Sequence, residues 1–361
     1  MNVSNYSYFL PEKNLALEPA VSRDTSKLFV YDTKNDQIVL DRFYNLHKYL
    51  PKDSFMVMNN TKVLPARVIM KKESGGKVEA LILVNEIIKN TLPIIVDRRI
   101  TVGEKIYFDD KHFLEILSQN KNIFEVRFSF TKKILFSILE KYGMMPIPPY
   151  LKKSPLSREE LLKKYQTIFA KNSGSSAAPT ASLHFTDKLF RKLDRDGISR
   201  LFITLHVGMG TFAPINEENI KRKKLHEEYF EIDENIFETI NSLKKEGKKL
   251  VAVGTTVVRT LESKARYQRY LNKKQNTKED LPSPHMENSF EKTDLFIFPP
   301  YDFKMVDVLI TNFHLPKSSL MMLVDAFLRY KGAKKELVEL YNIAIKNDFR
   351  FYSFGDAMLI L

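Results

Sequence analysis

The sequence predicts an α/β protein in which a small antiparallel β-barrel is inserted into a larger α/β domain. Three apolar strands each end in Gly, Thr, His or Asn and precede a helix, as in an open α/β sheet. Between about residues 65 and 140 the pattern changes to short strands without intervening helices, which is typical of a barrel or sandwich. At 361 residues the chain is long enough for two domains. We expect residues 1–64 and 145–361 to form the α/β domain and residues 65–144 the barrel.

The first of these strands, Leu201–Val207, ends in the most unusual part of the sequence. The chain has only 12 Gly and 7 His, yet His184, His206, Gly208 and Gly210 lie close together. Glycine lets a backbone approach a ligand that a side chain would keep away, although tight turns use it equally well. The pair does not form a dinucleotide fingerprint, because the third glycine and the acidic partner are missing.

The same pattern occurs twice downstream. The strand Leu250–Val253 leads into Gly254-Thr-Thr and then into a helix, and Val308–Ile310 leads through Thr311–His314 into the apolar helix 320–328. Ser318 or Ser319 can cap that last helix at its N-terminus. Carboxyl ends of parallel strands lie at one sheet edge, so these polar groups predict a ligand crevice there.

Near the start of the chain, Leu28–Tyr31 and Gln37–Leu40 flank the polar segment 33–36 and predict a hairpin. The next strand, Ser54–Met58, ends at Asn59–Lys62, which suits either a turn or a substrate contact. After the barrel we expect a helix over Ile134–Tyr142 that stops at Gly143, followed by an irregular, proline-rich linker, residues 144–151.

The rest of the α/β domain alternates helices with strands. We expect helices at 158–165, at 186–194 with Thr186 as N-cap, and at 234–246. The polar segment 272–294 reads as a surface loop without chemistry. The final strand, Phe349–Leu361, is too apolar for a loose tail and should be buried.

Composition limits the chemistry and the compartment. With no Cys, the chain has no disulfide, thiolate zinc site or cysteine nucleophile. The N-terminus lacks a signal-peptide pattern, and no run of about 18 apolar residues exists to span a membrane. We therefore expect a cytoplasmic protein without a membrane partner.

The net charge of +13 favours a polyanionic partner. Basic residues lie beside Tyr267 and Tyr270 in Lys264–Lys274, and a second basic run is Lys221–Lys224. Segments that mix basic and aromatic residues contact phosphates and stack on bases, but a solvated helix face explains these segments as well.

Taken together, the motifs resemble the S-adenosylmethionine:tRNA ribosyltransferase-isomerase family of queuosine biosynthesis over nearly the whole chain. The segments that carry this resemblance occur in the order Tyr165-Gln-Thr, Ala178–Thr186, Thr204–Phe212, His226-x-Glu228, Ala252–Thr256 with Arg259, Thr311–Ser318 and Phe354–Ile360. The resemblance implies an α/β domain carrying an inserted β-barrel, as the change of pattern near residue 65 also indicates.

The implied reaction uses S-adenosylmethionine as a co-substrate, with no permanently bound cofactor and no metal. Its ribosyl part moves onto the aminomethyl group of a 7-deazaguanine at the wobble position of a tRNA with a GUN anticodon. Isomerisation gives epoxyqueuosine and releases adenine and methionine. We also expect a monomer, although the sequence itself does not determine the oligomeric state. The alternative is an S-adenosylmethionine-dependent RNA methyltransferase, although the Gly-rich loop expected after its first strand is not evident. A noncatalytic tRNA-binding protein or a metallohydrolase explains fewer of the motifs.

The resemblance assigns roles to residues within these motifs. Residues expected to act in catalysis are His184, His206, His226, His314, Glu228 and Asp356. Those expected to bind the co-substrate are Thr180, Gly208, Gly210, Thr211, Gly254, Thr255, Thr256, Arg259 and Asn312. One histidine alone is more often structural, whereas four in one crevice favour proton transfer and stabilisation of the leaving adenine.

Several of these roles have structural alternatives. Glu228 and Asp356 can orient imidazoles or hold ribose hydroxyls, but caps and ion pairs explain them nearly as well. Arg259 can hold a carboxylate or phosphate, or pair with Glu262. Thr255 and Thr256 can cap a helix or contact the ligand. The aromatic candidates for stacking on a base are Tyr165, Phe185, Phe212 and Phe313, of which at least two should belong to the core.

The chain departs from the family pattern at a few positions. Asn60 and Lys62 stand where an aspartate and an arginine are usual, and Ser182 and Pro300 each replace a glycine. Arg329 occupies a position that is usually small. None of these changes removes a motif histidine, so activity should be retained.

Overall fold

A nine-stranded mixed sheet forms the centre of the α/β domain, and a closed six-stranded barrel is inserted into it. The computed structural model describes residues 3–208, 215, 217–277 and 291–361, with the backbone alone for 270–277. No helix in these described ranges is long and apolar enough to cross a membrane.

The strands are β1 Lys27–Asp32, β2 Gln37–Arg42, β3 Ser54–Asn59, β4 Thr61–Val63, β5 Arg67–Lys72, β6 Lys77–Ile82, β7 Thr91–Val96, β8 Lys105–Tyr107, β9 Phe113–Asn120, β10 Ile123–Arg127, β11 Asn172–Ser175, β12 Ser199–His206, β13 Lys224–Glu231, β14 Lys249–Val253, β15 Glu291–Leu295, β16 Val308–Asn312 and β17 Ala357–Ile360. The α-helices are α1 Lys132–Tyr142, α2 Arg158–Lys164, α3 Asp187–Arg195, α4 Glu217–Arg222, α5 Glu234–Lys245, α6 Thr255–Thr277, α7 Ser319–Tyr330 and α8 Leu337–Lys346.

The large sheet has the strand order β15-β13-β12-β3-β14-β16-β17-β1-β2. Its middle strands β12, β3, β14 and β16 run parallel, so their carboxyl ends lie at one edge. The prediction that three strand ends share an edge is therefore confirmed. The predicted hairpin is also confirmed, because β1 and β2 pair antiparallel from Lys27 opposite Arg42 to Asp32 opposite Gln37.

Both faces of the large sheet are covered. Successive side chains of a strand point to opposite faces, and in the central strands both sets are apolar. In β14, Leu250 and Ala252 belong to the core under the helices α5 to α8, whereas Val251 and Val253 belong to the core under α3. Each fully buried large aliphatic side chain stabilises the fold by roughly 1.5–3 kcal/mol. The two cores hold the strand ends in fixed positions, which is what a binding site at that edge needs.

The barrel has the closed strand order β10-β7-β6-β5-β8-β9. Leu135 and Leu139 of α1 pack against its interior core, so this helix covers the barrel. The chain enters and leaves the barrel side by side, because Arg67 and Met144 exchange backbone hydrogen bonds of 3.2 and 2.7 Å. A Cβ on Gly143 would lie 1.7 Å from the carbonyl oxygen of Pro65, so only glycine fits at this crossing.

Some predicted boundaries are wrong. Asn59–Lys62 is not a turn, because Asn59 ends β3 and Thr61 begins β4, which pairs in parallel with β11. Part of the proline-rich linker is regular, since Pro149–Lys153 is a 3-10 helix that begins at a proline.

The expected loop 272–294 is wrong at both ends. Helix α6 continues to Thr277, and β15 begins at Glu291. No Gly or Pro occurs between Thr255 and Thr277 to stop the helix. Residues 278–290 lie outside the described residues. The final segment is buried as expected, although only Ala357–Ile360 is a strand.

Candidate active site

An open cleft lies at the carboxyl ends of β12, β14 and β16. The strand ends contribute Val207, the segment Gly254–Thr256 and the segment Thr311–His314. Residues 177–181, which begin one of the motifs, form another wall. The structure thus brings four separate motifs to one cleft, together with the predicted binding residues Thr180, Gly254, Thr255, Thr256 and Asn312.

Gly254 turns the chain from β14 into helix α6. Its φ of +92° lies in the left-handed region, which glycine adopts without strain, and its N–H donates to the Ile310 carbonyl at 2.7 Å. Helix α6 begins at Thr255, so its unpaired N-terminal amides lie beside the cleft. This end of a helix favours negative charge.

His184 and Asn312 are joined just behind the cleft wall. Nδ2 of Asn312 lies 3.2 Å from Nε2 of His184, and Nδ1 of His184 lies 2.9 Å from the Ser26 hydroxyl. Because an amide nitrogen only donates, Nε2 accepts this bond and the neutral ring carries its proton on Nδ1. Burial and the nearby charge of Arg350 lower the pKa of His184 to about 3, which keeps the ring neutral.

Asn312 leaves one acceptor unused. Its Nδ2 also donates to the Tyr352 carbonyl at 3.2 Å, whereas its Oδ1 is buried without a hydrogen-bond partner. Since Asn312 lines the cleft, this oxygen can accept a hydrogen bond from a ligand.

His314 lines the cleft itself. Its Nε2 lies 2.8 Å from the Thr311 hydroxyl, and its backbone N–H donates to the Tyr341 hydroxyl at 3.1 Å. Burial lowers the pKa of His314 to about 3. The imidazole is therefore neutral at physiological pH and can act as a proton acceptor.

His206 faces a second cavity between the barrel and the large sheet. Its Nδ1 lies 2.7 Å from the Thr61 hydroxyl. Burial and the charge of Lys132 lower the pKa of His206 to about 4. The next residue, Val207, lines the first cleft, so the end of β12 separates the two spaces.

Arg259 and Glu228 form a buried ion pair. The Glu228 carboxylate also accepts the N–H of Gly208 at 3.1 Å, which fixes the backbone just after β12. The alternative in which Arg259 pairs with Glu262 is not observed, because Glu262 accepts the backbone N–H groups of Lys304 and Met305.

Three other expected site residues are not brought to the cleft. Asp356 is buried and accepts the N–H groups of Lys27 and Arg350 at 2.8 and 2.7 Å, so it joins two backbone segments. Desolvation raises the pKa of this carboxyl. His226 is exposed on β13. Gly208 borders Asn85 of the barrel and lies outside the wall of the cleft. Gly210, Thr211 and Phe212 lie outside the described residues.

Among the aromatic candidates, Tyr165 and Phe185 belong to the core and are fully buried. Phe313 borders the cleft but packs its ring against Phe29 and Tyr341. These contacts indicate core packing.

Two cleft residues have no role in the sequence analysis. Tyr150 and Tyr352 both line the cleft, with ring centroids 4.9 Å apart. Tyr352 has a φ of +73°, which is unusual for a bulky residue and concentrates at functional sites. Tyr150 lies in the segment that the sequence predicts as a proline-rich linker, and the left-handed backbone of Tyr352 leaves no sequence signal.

The residues that depart from the family pattern make ordinary structural contacts. The side-chain oxygen of Asn60 accepts from the Thr204 hydroxyl at 2.8 Å, and Lys62 lies 3.9 Å from Glu140. Ser182 is fully buried, and Arg329 pairs with Asp325 at 3.1 Å. Pro300 follows Pro299 through a cis peptide bond. Within the described residues, no group of three or more His, Asp or Glu could hold a metal ion.

Comparison with known proteins gives one family. A family model described as "Queuosine biosynthesis protein" matches residues 3–360. Proteins named S-adenosylmethionine:tRNA ribosyltransferase-isomerase from Thermoanaerobacter sp. (strain X514) and Thermosipho melanesiensis are 40% and 41% identical over 365 residues, with both chains covered completely. The crystal structure of S-adenosylmethionine tRNA ribosyltransferase from Thermotoga maritima is similar, with a TM-score of 0.53 and 30% identity. That match covers 99% of this chain and 100% of that one.

Proposed function

The chain belongs to the queuosine biosynthesis family of S-adenosylmethionine:tRNA ribosyltransferase-isomerases, and from this premise we propose that it catalyses that reaction on tRNA. It transfers the ribosyl part of S-adenosylmethionine to the aminomethyl group of a 7-deazaguanine at the wobble position. The transferred ribosyl group is isomerised to an epoxycyclopentane, and adenine and methionine are released. The tRNA has a GUN anticodon, and the enzyme acts as a cytoplasmic monomer.

The proposal rests on one hydrogen-bond acceptor, on a residue that lines the cleft, that has no partner within the protein. Asn312 Oδ1 is buried there without a hydrogen-bond partner, and the contact with His184 fixes the amide orientation. The adenine 6-amino group and the ribose hydroxyls of S-adenosylmethionine are donors that would satisfy it. A buried acceptor that is left unsatisfied is unfavourable, so a cleft built in this way is suited to a ligand with donors.

The neighbouring groups suit the other parts of the co-substrate. The amides at the start of α6, with the hydroxyls of Thr255 and Thr256, offer donors for the methionine carboxylate. Tyr150 and Tyr352 offer aromatic faces for adenine. Thr180 completes the hydroxyl-bearing wall.

Proton transfer is assigned to His314. The sulfonium acidifies the C5′ hydrogens of the ribose, and a neutral imidazole in the cleft can accept one of them. His184 is a positioning residue, because its Nε2 already accepts from Asn312. Glu228, paired with Arg259, holds the backbone after β12, and Asp356 joins two backbone segments outside the cleft. His206 lines the second cavity, and the exposed His226 lies away from the cleft lining.

The domain division that goes with this function places the cleft in residues 1–64 and 145–361. We assign residues 65–144 to the barrel domain, which contributes residues 84–88 and Lys132 to a cavity shared with the α/β domain and would contact the tRNA from there.

The experiment incubates the purified protein with S-adenosylmethionine and tRNA that bears the deazaguanine precursor. We expect free adenine and methionine in equal amounts, and Asn312→Ala should slow their release. Accumulation of S-adenosylhomocysteine would instead mark a methyltransferase, which the comparisons do not support. Release of neither adenine nor methionine by the wild-type protein would overturn the proposed function.

A further inference from the structure

The second cavity lies where the barrel meets the large sheet. The barrel supplies Val84–Ile88, a segment between β6 and β7, and the α/β domain supplies Ser173, Gly174 and His206. Lys132 of α1 and Tyr229 of β13 complete the wall. The cavity is therefore formed jointly by the inserted barrel and the domain that carries the cleft.

Asn85 is the unusual group in this wall. Both its Nδ2 and its Oδ1 are buried without a hydrogen-bond partner. An amide left in this state is unfavourable unless something that enters the cavity satisfies it. The group offers one donor and one acceptor side by side, and the Glu86 carboxylate lines the same cavity. A ligand with a matching donor and acceptor edge would pair with it.

The opposite wall is arranged for a flat group. A Cβ on Gly174 would lie 2.9 Å from the His206 ring, so glycine lets the backbone of β11 lie directly against the imidazole. The Thr61 hydroxyl holds Nδ1 of this ring at 2.7 Å. The imidazole therefore has a fixed orientation on the cavity wall.

The second cavity adjoins the proposed active site, because consecutive residues of one strand end line the two spaces. His206 lines the cavity and Val207 lines the cleft, while the N–H of Ser176 bonds the Val207 carbonyl at 2.9 Å on the adjoining segment. Asn85 also reaches this strand end, since its Nδ2 lies 3.8 Å from the position of a Cβ on Gly208. A group bound here lies next to a co-substrate bound in the cleft.

We propose that this cavity binds the 7-deazaguanine wobble base after it leaves the anticodon stack, an inference that rests on the proposed function. The Asn85 amide donates to O6 of the base and accepts from its N1–H, and the Glu86 carboxylate accepts from the 2-amino group. Enzymes that modify a base commonly extrude it into such a pocket and read its Watson–Crick edge. Lys132 at the wall is available for a backbone phosphate.

The test is Asn85→Ala, with Asn122→Ala as the matched control because Asn122 is an exposed asparagine on the same barrel. We expect Asn85→Ala to raise KM for the precursor tRNA by about 10- to 100-fold, the usual effect of losing a bidentate base contact. KM for S-adenosylmethionine and the unfolding temperature should stay at wild-type values. Asn122→Ala should change none of these quantities.

A binding measurement separates this inference from the proposed function, because it needs no turnover. The Kd values of tRNAs with guanosine and with adenosine at the wobble position are compared by fluorescence anisotropy. Adenine presents the opposite donor and acceptor pattern and has no 2-amino group for Glu86, which sets the orientation of the pair with the Asn85 amide, so the wild type should prefer guanosine and Asn85→Ala should lose part of that preference. An unchanged preference and an unchanged KM in Asn85→Ala would overturn the inference, even if the wild type releases adenine normally. A wild type that releases no adenine would overturn the proposed function, whereas the Kd ratio would still report on the cavity.

Discussion

Nδ2 of Asn312 lies 3.2 Å from Nε2 of His184, a hydrogen bond that joins two motifs separated by 128 residues. The bond fixes the imidazole tautomer through the donor-only nature of the amide nitrogen. The Oδ1 of Asn312, a residue that lines the cleft, is left without a hydrogen-bond partner in the protein. His184 thus acts on the cleft through Asn312.

Replacing Asn312 by aspartate should test this positioning role. A carboxylate cannot donate to His184 Nε2, so the imidazole loses its fixed partner and the cleft gains a negative charge. We expect kcat/KM for adenine release to fall by about 10- to 100-fold. Steady-state kinetics of Asn312→Asp and of the control Asn122→Ala measure the effect. Wild-type kinetics in Asn312→Asp would show that the contact does not matter for activity.

Glu228→Leu should strongly destabilise the protein. The change leaves the Arg259 guanidinium buried without its partner carboxylate and releases the Gly208 amide. Breaking a buried pair from one side costs about 3–5 kcal/mol. Denaturant unfolding measures the change, with Glu218→Ala as control because its pair with Arg222 is exposed. The control should lose less than about 1 kcal/mol. Equal losses of unfolding free energy in the two variants would contradict the expectation that the buried ion pair matters more than the exposed one.

The buried histidines should make the protein less stable in mild acid. The pKa values of His184 and His314 are lowered to about 3 and that of His206 to about 4. Below the ordinary value near 6.5 the unfolded chain binds protons that the folded chain does not. Their contribution is therefore complete above about pH 6.5 and is lost as the pH falls towards 3.

For each histidine the free energy of unfolding should fall by up to about 1.4 kcal/mol per pH unit in that window. Urea unfolding at pH 7.5, 6.0 and 5.0 measures the slope. His314→Gln should flatten it, whereas Asn122→Ala should retain the wild-type slope. A slope in His314→Gln as steep as that of the wild type would show that folding does not lower the pKa of His314.

Tyr352→Ala should weaken the binding of S-adenosylmethionine. The ring of Tyr352 lines the cleft beside Tyr150, and stacking on a base is worth about 1–3 kcal/mol. We expect KM for S-adenosylmethionine to rise by roughly 10-fold or more, while Tyr352→Phe keeps nearly normal values. Isothermal titration with S-adenosylmethionine gives the affinity directly. An affinity unchanged by the loss of the ring would place adenine elsewhere in the cleft.

The parts of the fold that follow from local patterns could be predicted from the sequence. Apolar runs that end in Gly-Thr-Thr or Thr-Asn-Phe-His give the edge formed by β14 and β16, and the side chains of Thr186 and Ser318 cap α3 and α7 as expected. The change to short apolar strands gives the barrel. These signals depend on periodicity and capping, which act over a few residues.

The features that the sequence analysis did not predict depend on contacts between distant parts of the chain. β11 is the polar segment Asn172–Ser175, which has no apolar alternation and becomes a strand only by pairing with β4. Arg259 selects Glu228 over Glu262 because α6 packs on β12 and β15, and β13, which carries Glu228, lies between these two strands. Asn85 lies in a short barrel segment with no motif, so its exposure to the second cavity depends on how the barrel meets the sheet.

The position of β17 has a consequence for synthesis on the ribosome. This strand lies between β16 and β1, with Leu359 paired to both Ile310 and Val30. The two sides of the large sheet therefore cannot join until residues 357–360 have emerged, whereas all six strands of the barrel are complete by Arg127. The barrel can fold while translation continues, whereas the large sheet that carries the cleft is complete only once β17 has emerged.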